Sequence, residues 1–131
     1  MSKVQANFLY TKEHEWVEQL SETSVRVGIT DFAQNLLGDI VFLELPKVGD
    51  ELTAEQSFGT MESVKTVSDI FSPISGTVSK LNESLEASPN VVNGSPYTEG
   101  WMIEVTISGP DALVGLLTAA QYKDLIGESN D

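Results

Sequence analysis

Short apolar runs separated by turn residues are the dominant pattern along this chain. Val25, Val27 and Ile29 alternate with Arg26 and Gly28, which predicts a half-buried β-strand. Turn signals rich in proline, glycine and serine separate the other apolar runs. Those runs predict further strands at residues 40–45, 66–71, 77–81 and 101–107.

Helical signals are few and lie between the strands or near the C-terminus. Thr30 and Asp31 can cap a short helix that runs to Leu37, with Gly38 ending it in the left-handed conformation. Residues 82–100 are rich in Asn, Pro, Gly and Ser, which predicts a long loop with at most one helical turn.

Two helices are predicted near the C-terminus. Pro110 and Asp111 suit a helix start before an apolar run at 112–117. Thr118 and Gln121 have capping-box spacing for a last helix, which we expect to reach about Ile126. Residues 128–131 are expected to form a frayed tail. The pattern therefore predicts one small β-rich domain over residues 1–131, with peripheral helices.

Composition excludes several classes of function. The chain has no cysteine and one histidine, His14, so disulfides, thiolate nucleophiles and multi-histidine metal sites are excluded, and no metal site is expected. No apolar run approaches the ~20 residues of a membrane helix, and residues 1–9 do not resemble a targeting signal. The formal charge of −13 disfavours nucleic acid and anionic membranes as partners, whereas basic protein surfaces are better candidates.

A lysine within a predicted turn is the most informative chemical feature. The polar pair Glu62-Ser63 separates two strand-like runs, so residues 62–65 are predicted to form a tight hairpin turn with Lys65 at its tip. A solvated lysine is a poor general base, because nothing apolar lowers its pKa. It is a good handle for an enzyme that acylates amines. From spacing alone, an ordinary solvated lysine is the simpler interpretation.

The chain resembles glycine cleavage H proteins over nearly its whole length. The most specific segment is Glu62-Ser63-Val64-Lys65, followed by Ser68-Asp69 and Ser-Pro-Ile-Ser-Gly at 72–76. The other matching segments are Tyr-Thr-Lys-Glu-His-Glu-Trp-Val at 10–17, Val-Gly-Ile-Thr-Asp-Phe-Ala-Gln at 27–34, Leu-Gly-Asp-Ile-Val-Phe at 37–42, Leu-Pro at 45–46, Val-Gly-Asp at 48–50, Asn-Gly-Ser-Pro-Tyr at 93–97 and Gly-Trp-Met-Ile at 100–103.

The resemblance implies a fold and a function. The fold would be a flattened β-barrel or sandwich hybrid of the lipoyl/biotinyl carrier type, with a short helix near 31–37 and C-terminal helices. Lys65 would hold lipoate in amide linkage. A non-catalytic, monomeric carrier would then shuttle the aminomethyl group of glycine from glycine decarboxylase to the tetrahydrofolate-dependent aminomethyltransferase, and dihydrolipoamide dehydrogenase would reoxidise it. The compartment would be bacterial cytoplasm, or the mitochondrial matrix in a eukaryote.

Further residues carry family roles by position. Glu62, Asp69 and Gly76 match recognition elements for the lipoate-attaching enzymes, although a turn requiring positive φ would by itself explain Gly76. Glu15 and Asp69 match polar groups of the cleft where the loaded arm rests, and Ile29 would supply an apolar wall there. Ordinary surface acids would look the same in a chain with 20 of them.

Leu36 is a departure from the family pattern. Some family members have a histidine at the matching position, and Leu36 cannot supply an imidazole. The arm is therefore expected to dock more weakly here, or in a different arrangement.

Four alternatives to this carrier compete with it, and residues of the chain argue against the first three. Biotin carriers flank their lysine with methionines, whereas Val64 and Thr66 stand here. Lipoyl domains of 2-oxo-acid dehydrogenases have Asp before the lysine and lack the stretch at 13–16 and the C-terminal helix. An enzyme is disfavoured because the chain has no cysteine, one histidine and no phosphate-binding glycine loop. A relative that relays lipoyl groups to other enzymes would keep Lys65 and stays open.

Overall fold

The computed structural model describes residues 4–127, which form two antiparallel sheets and a few short helices. The strands are β1 (Leu9–Tyr10), β2 (Glu15–Ser21), β3 (Ser24–Ile29), β4 (Ile40–Glu44), β5 (Glu51–Leu52), β6 (Ser57–Ser63), β7 (Val67–Phe71), β8 (Gly76–Leu81) and β9 (Ile103–Thr106). The α-helices are α1 (Asp31–Leu37), α2 (Ser84–Ala87), α3 (Val91–Gly94) and α4 (Ala119–Ile126).

The two sheets form a flattened sandwich around a shared core. One sheet has the strand order β1-β2-β3-β9-β8-β5, and the other has the order β4-β6-β7. Val27 from the first sheet and Met61 and Ile70 from the second belong to the same buried apolar cluster. Within residues 4–127 the sheets do not close into a barrel, so the sandwich form of the predicted fold class is the one observed.

The predicted strands are confirmed with small changes at their ends. Val25, Val27 and Ile29 are the buried positions expected for β3. The strand predicted at 101–107 is shorter, because its regular ladder with β3 and β8 covers only Ile103–Thr106. Two-residue strands such as Leu9–Tyr10 had no detectable periodicity and were not predicted.

Helix α1 begins where its cap was predicted. The Thr30 hydroxyl accepts a hydrogen bond from the Ala33 backbone N–H at 3.2 Å. Gly38 ends the helix with φ 80° but ψ −162°, so its backbone is not in the left-handed helical conformation that was predicted. The positive φ still favours glycine there.

The C-terminal region differs from prediction at its start. The helix predicted at 112–117 is wrong, because only a 3₁₀ turn forms at Pro110–Leu113. Leu117 instead exchanges two backbone hydrogen bonds with Tyr10, at 2.7 and 2.8 Å. Helix α4 has the predicted capping box, in which the side chains of Thr118 and Gln121 each bind the other's backbone. The expected tail at 128–131 lies outside the described residues.

The segment at 82–100 contains two helical turns rather than at most one. Asn93 of α3 ties this segment to α1, because its side-chain amide donates to the Gly38 carbonyl at 2.9 Å. The side-chain Oδ1 of Asn93 accepts a hydrogen bond from the Ile40 backbone N–H at 2.9 Å. These bonds fix the end of α1, which lies behind the lysine turn.

None of the helices within residues 4–127 combines the length and the apolar character needed to cross a membrane.

Candidate functional site

Lys65 lies in the tight turn that joins β6 to β7. The Ser63 backbone N–H donates to the Thr66 carbonyl at 2.8 Å and closes the turn. The Ser63 hydroxyl oxygen also accepts from the backbone N–H groups of Lys65 and Thr66, both at 3.1 Å. The turn therefore spans residues 63–66, one residue later than predicted, and Glu62 is the last but one residue of β6.

Neighbouring backbone holds this turn in place. The Val64 N–H donates to the Asp39 carbonyl at 3.0 Å, which joins the turn to the chain just after α1. A Cβ atom on Gly38 would lie 3.4 Å from Lys65 Cε, so the lysine stem passes close to the end of α1. The turn is thus braced by its own hydrogen bonds and by residues 38–39.

The Lys65 side chain itself is exposed. In the described part of the chain, the only ion pair joins Arg26 and Glu104 at 2.8 Å, so none of its carboxylates forms an ion pair with Lys65. An exposed amine on a fixed turn is accessible to an acylating enzyme. Within residues 4–127 no carboxylate holds this amine in an ion pair. These residues fit a group attached through an amide.

The carboxylates nearest in sequence face outward on the three-stranded sheet. Glu62 is exposed and lies opposite Val67 in the β6–β7 pairing. Asp69 is also exposed, and the Ser57 hydroxyl approaches its carboxylate at 3.4 Å. Both acids therefore flank the turn on one side of the sheet and are open to a partner protein.

Gly76 has a packing role that differs from the predicted one. It begins β8, and it is not among the described residues with positive φ, so the turn explanation is wrong. A Cβ atom there would lie 2.4 Å from the Thr106 carbonyl oxygen. Glycine is needed because the backbone of β9 approaches too closely for a side chain.

Glu15 is a buried carboxyl group at the start of β2. Its side chain accepts a hydrogen bond of 2.6 Å from the Thr11 hydroxyl. Burial raises the pKa of Glu15 from 4.5 to about 7, although hydrogen bonds from Thr11 and the Phe71 backbone act in the opposite direction. Near neutral pH this group can therefore hold or release a proton.

Glu15 lines a pocket of about 390 Å³ between the two sheets. Glu13 and Glu55 also line it, as do Phe71 and Leu117. With three acids against one lysine, Lys12, on partly apolar walls, this lining suits a small ligand with a cationic end. Sequence reasoning missed Glu55, whose φ of 73° is unusual for a residue other than glycine, and no local pattern pointed to it.

The other two residues expected in the arm cleft do not line this pocket. Asp69 does not line this pocket. Ile29 lies opposite Glu15 in the β2–β3 pairing, but it is 2% exposed and belongs to the core. Of the three residues expected in the cleft, the structure therefore places only Glu15 at the pocket. Leu36, the departure from the family pattern, is exposed on α1.

His14 lies near the start of a strand, as expected, and also contacts the C-terminal helix. Its Nδ1 lies 2.8 Å from the Tyr122 hydroxyl, and its ring packs against Phe32. Burial lowers the pKa of His14, which favours the neutral ring. These contacts give His14 a structural role.

A small two-sheet domain with an exposed lysine on a braced hairpin is typical of proteins that carry a group on lysine. The family model described as "Glycine cleavage H-protein" matches residues 8–129. The chain is 56% identical to a glycine cleavage system H protein of Bacillus licheniformis over 119 residues, which is 91% of this chain and 93% of the relative.

Two further relatives agree. An H protein of Staphylococcus epidermidis is 52% identical over 125 residues, with 95% of this chain and 98% of the relative covered. The crystal structure of a glycine cleavage system H protein from Mycobacterium marinum matches with a TM-score of 0.86 and 38% identity, over 95% of this chain and 99% of that one. The chain therefore belongs to the glycine cleavage H-protein family.

Proposed function

We propose that this chain is the lipoyl carrier of a glycine cleavage system, with Lys65 as the attachment site. The observation that supports this most is the exposed Lys65 on a braced turn of a family member. A lipoyl group in amide linkage would supply a disulfide that can be reduced and can carry an aminomethyl group. The chain acts as one carrier domain over residues 1–131, and its partners supply the catalysis.

The proposed partners are those that the family's role requires. Glycine decarboxylase loads the carrier, and the tetrahydrofolate-dependent aminomethyltransferase unloads it. Dihydrolipoamide dehydrogenase then restores the disulfide. The group on Lys65 has to reach three active sites one after another. An exposed hairpin turn on a small monomer leaves it accessible to each of them.

Glu15 is the group we propose for holding the loaded arm. An aminomethyl group carries an amine that is charged at neutral pH, and a carboxylate is a natural partner for it. Glu15 lines a pocket that is large enough for the end of such an arm. Because Asp69 and Ile29 do not line that pocket, we propose Asp69 for recognition and Ile29 for packing in the core.

Glu62 and Asp69 are proposed as recognition groups for the lipoate-attaching enzymes. Both are exposed on the three-stranded sheet close to the turn, where basic residues of an enzyme can reach them. Gly76 contributes indirectly, because it lets β8 pack against β9.

A carrier that relays lipoyl groups to other enzymes is the second candidate. It uses the same lysine and the same turn, so the geometry suits both. The relatives' names favour glycine cleavage. They are bacterial proteins, and we therefore propose the bacterial cytoplasm as the compartment rather than a mitochondrial matrix.

The direct test is a glycine cleavage reaction reconstituted from purified partner enzymes. Wild-type chain should support glycine-dependent release of ammonia, and Lys65→Arg should abolish it while keeping the charge. Lys47→Arg is the matched control, because Lys47 is also exposed on a loop. Ammonia release with Lys65→Arg would refute the assignment. Failure of the wild type, together with lipoyl transfer from it to a second lipoyl protein, would favour the relay.

Protection of the loaded arm tests the role of Glu15 separately. Water can release the carbon of an aminomethyl adduct as formaldehyde, so docking should slow this loss. All proteins are compared fully lipoylated, loaded and without partner enzymes. Under these conditions Glu15→Gln should release formaldehyde several-fold faster than the wild type. Asp69→Asn, which lies outside the pocket, should not. Equal rates for Glu15→Gln and wild type would remove Glu15 from the docking site.

A further inference from the structure

Exposed apolar side chains are concentrated around Lys65. Nine large hydrophobic side chains are exposed within residues 4–127, and five of them lie at or near the turn. We call these five the turn patch: Leu36, Val41, Phe42, Val64 and Val67, which are 60%, 51%, 54%, 65% and 64% exposed. Clustered apolar residues on a monomer commonly mark a contact surface, whereas scattered ones do not.

The backbone accounts for this clustering. A β-bulge in β4 interrupts its pairing with β6 after Ile40, so the consecutive residues Val41 and Phe42 are both exposed. Phe42 and Val67 then lie on either side of Glu62 in one cross-strand row. This row is the last one before the turn.

Val64 and Leu36 extend the patch around the lysine. Val64 immediately precedes Lys65, and its Cγ2 lies 3.6 Å from the position of a Cβ on Gly38. Leu36 lies two residues before Gly38 at the end of α1. The patch therefore includes residues of the turn, the outer face of the sheet and the neighbouring helix end.

Acidic residues surround the patch. Asp39, Glu44, Glu62 and Asp69 are all exposed beside it, whereas the described basic residues other than Lys65 lie in other loops or on other elements. A second copy of the chain would bring like charges together, which disfavours a homodimer through this face. A partner with an apolar centre and a basic rim complements it.

The length of the lysine side chain selects among such partners. The Nζ atom of an unmodified lysine reaches only about 6 Å from its Cα, given ordinary covalent geometry. An enzyme that acylates this amine must therefore bring its active site down to the turn and cover the side chains beside it. A lipoyl arm would extend roughly twice as far. Enzymes that act on the end of the arm have no such need.

We propose that the turn patch is the docking surface of the enzyme that acylates Lys65, an inference that rests on the proposed function. In that reaction the Lys65 nitrogen forms an amide with the carbonyl of an acyl adenylate. The bond from that carbonyl to the adenylate breaks, AMP leaves, and the lysine ammonium gives up two protons to solvent. The patch contributes to binding the enzyme and takes no part in the bond changes.

The test measures acylation of the unmodified full-length chain by an ATP-dependent lipoate–protein ligase supplied with lipoate. Intact mass gives the rate at each carrier concentration. Val67→Ser and Phe42→Ser should each raise the KM for the carrier by roughly fivefold or more, as expected for truncating a central interface residue, with kcat little changed. Val48→Ser is the matched control: Val48 is 61% exposed and lies beyond the far end of β4.

A second measurement separates docking from general damage. Once fully lipoylated, Val67→Ser and Phe42→Ser should be reduced and reoxidised by dihydrolipoamide dehydrogenase with the same KM as the wild type. Unchanged KM values for acylation in both variants would overturn the proposal. So would an equal rise in Val48→Ser, or a wild-type dimer in sedimentation that these variants disrupt. A wild type that accepts no lipoyl group would instead refute the proposed function itself.

Discussion

At the scale of single residues, Glu15 is the group whose environment matters most. Burial raises its pKa to about 7, because the charged form loses hydration that its hydrogen bonds replace only in part. The folded chain therefore holds a proton that the unfolded chain releases between about pH 4.5 and about pH 7. Folding stability from this group is fully present below that window and declines as pH rises through it.

Replacing Glu15 should expose this dependence. Glu15→Gln cannot ionise, so its stability relative to wild type should increase by up to about 3 kcal/mol between about pH 4.5 and about pH 8. Urea unfolding at the two pH values measures the difference, and contributions from other groups cancel. A stability difference that does not change with pH would show that Glu15 titrates normally.

At the scale of elements, contacts with α4 join parts of the chain that are distant in sequence. The Tyr122 hydroxyl lies 2.8 Å from both the Thr30 hydroxyl and His14 Nδ1. Its ring stacks on Tyr10 with centroids 4.6 Å apart. One buried side chain therefore links the last helix to the cap of α1 and to the loop before β2.

Removing that hydroxyl should loosen the helix. Tyr122→Phe leaves the buried Thr30 hydroxyl and the half-buried His14 ring without this partner, so we expect a loss of about 1–3 kcal/mol in unfolding free energy. Asp124→Asn is a conservative change of comparable size at an exposed position of the same helix and should change stability by less than about 0.5 kcal/mol. Chemical denaturation measures both variants. Equal effects would show that the hydroxyl contacts add nothing specific.

The sequence predicted elements whose signals are local and missed those that depend on distant contacts. The alternation at 25–29, the Thr30 cap and the capping box of α4 each involve neighbours within a few residues, and each is confirmed. The wrong helix at 112–117 had local apolar spacing, but pairing between Leu117 and Tyr10 replaced it. No local pattern reports an interaction across more than a hundred residues.

The candidate site likewise combines a part with local sequence signals and a part that depends on distant contacts. Lys65 was predicted because its turn and its motif are contiguous in sequence. The pocket at Glu15 gathers residues from four separate segments, including Glu55 and Phe71. Its membership therefore required the fold, and so did the finding that Asp69 does not line it.

At the scale of the whole molecule, the charge of −13 should govern encounters with partners. A carrier that visits several enzymes needs weak, rapid association, which long-range attraction to basic surfaces supplies. The KM of glycine decarboxylase for the carrier should therefore rise as ionic strength increases from about 0.01 M to about 0.15 M. Steady-state kinetics at fixed enzyme concentration measures this. A KM that is independent of salt would remove the electrostatic part of the account.

Of the six lysines in this chain, Lys65 alone should accept the lipoyl group. The most direct measurement is the intact mass of the chain after incubation with a lipoate–protein ligase, lipoate and ATP. The wild type and Lys47→Arg should each gain a single lipoyl adduct, and peptide mapping should place it on Lys65. Lys65→Arg should gain none. An adduct on Lys65→Arg, or one mapped to another lysine of the wild type, would contradict the account.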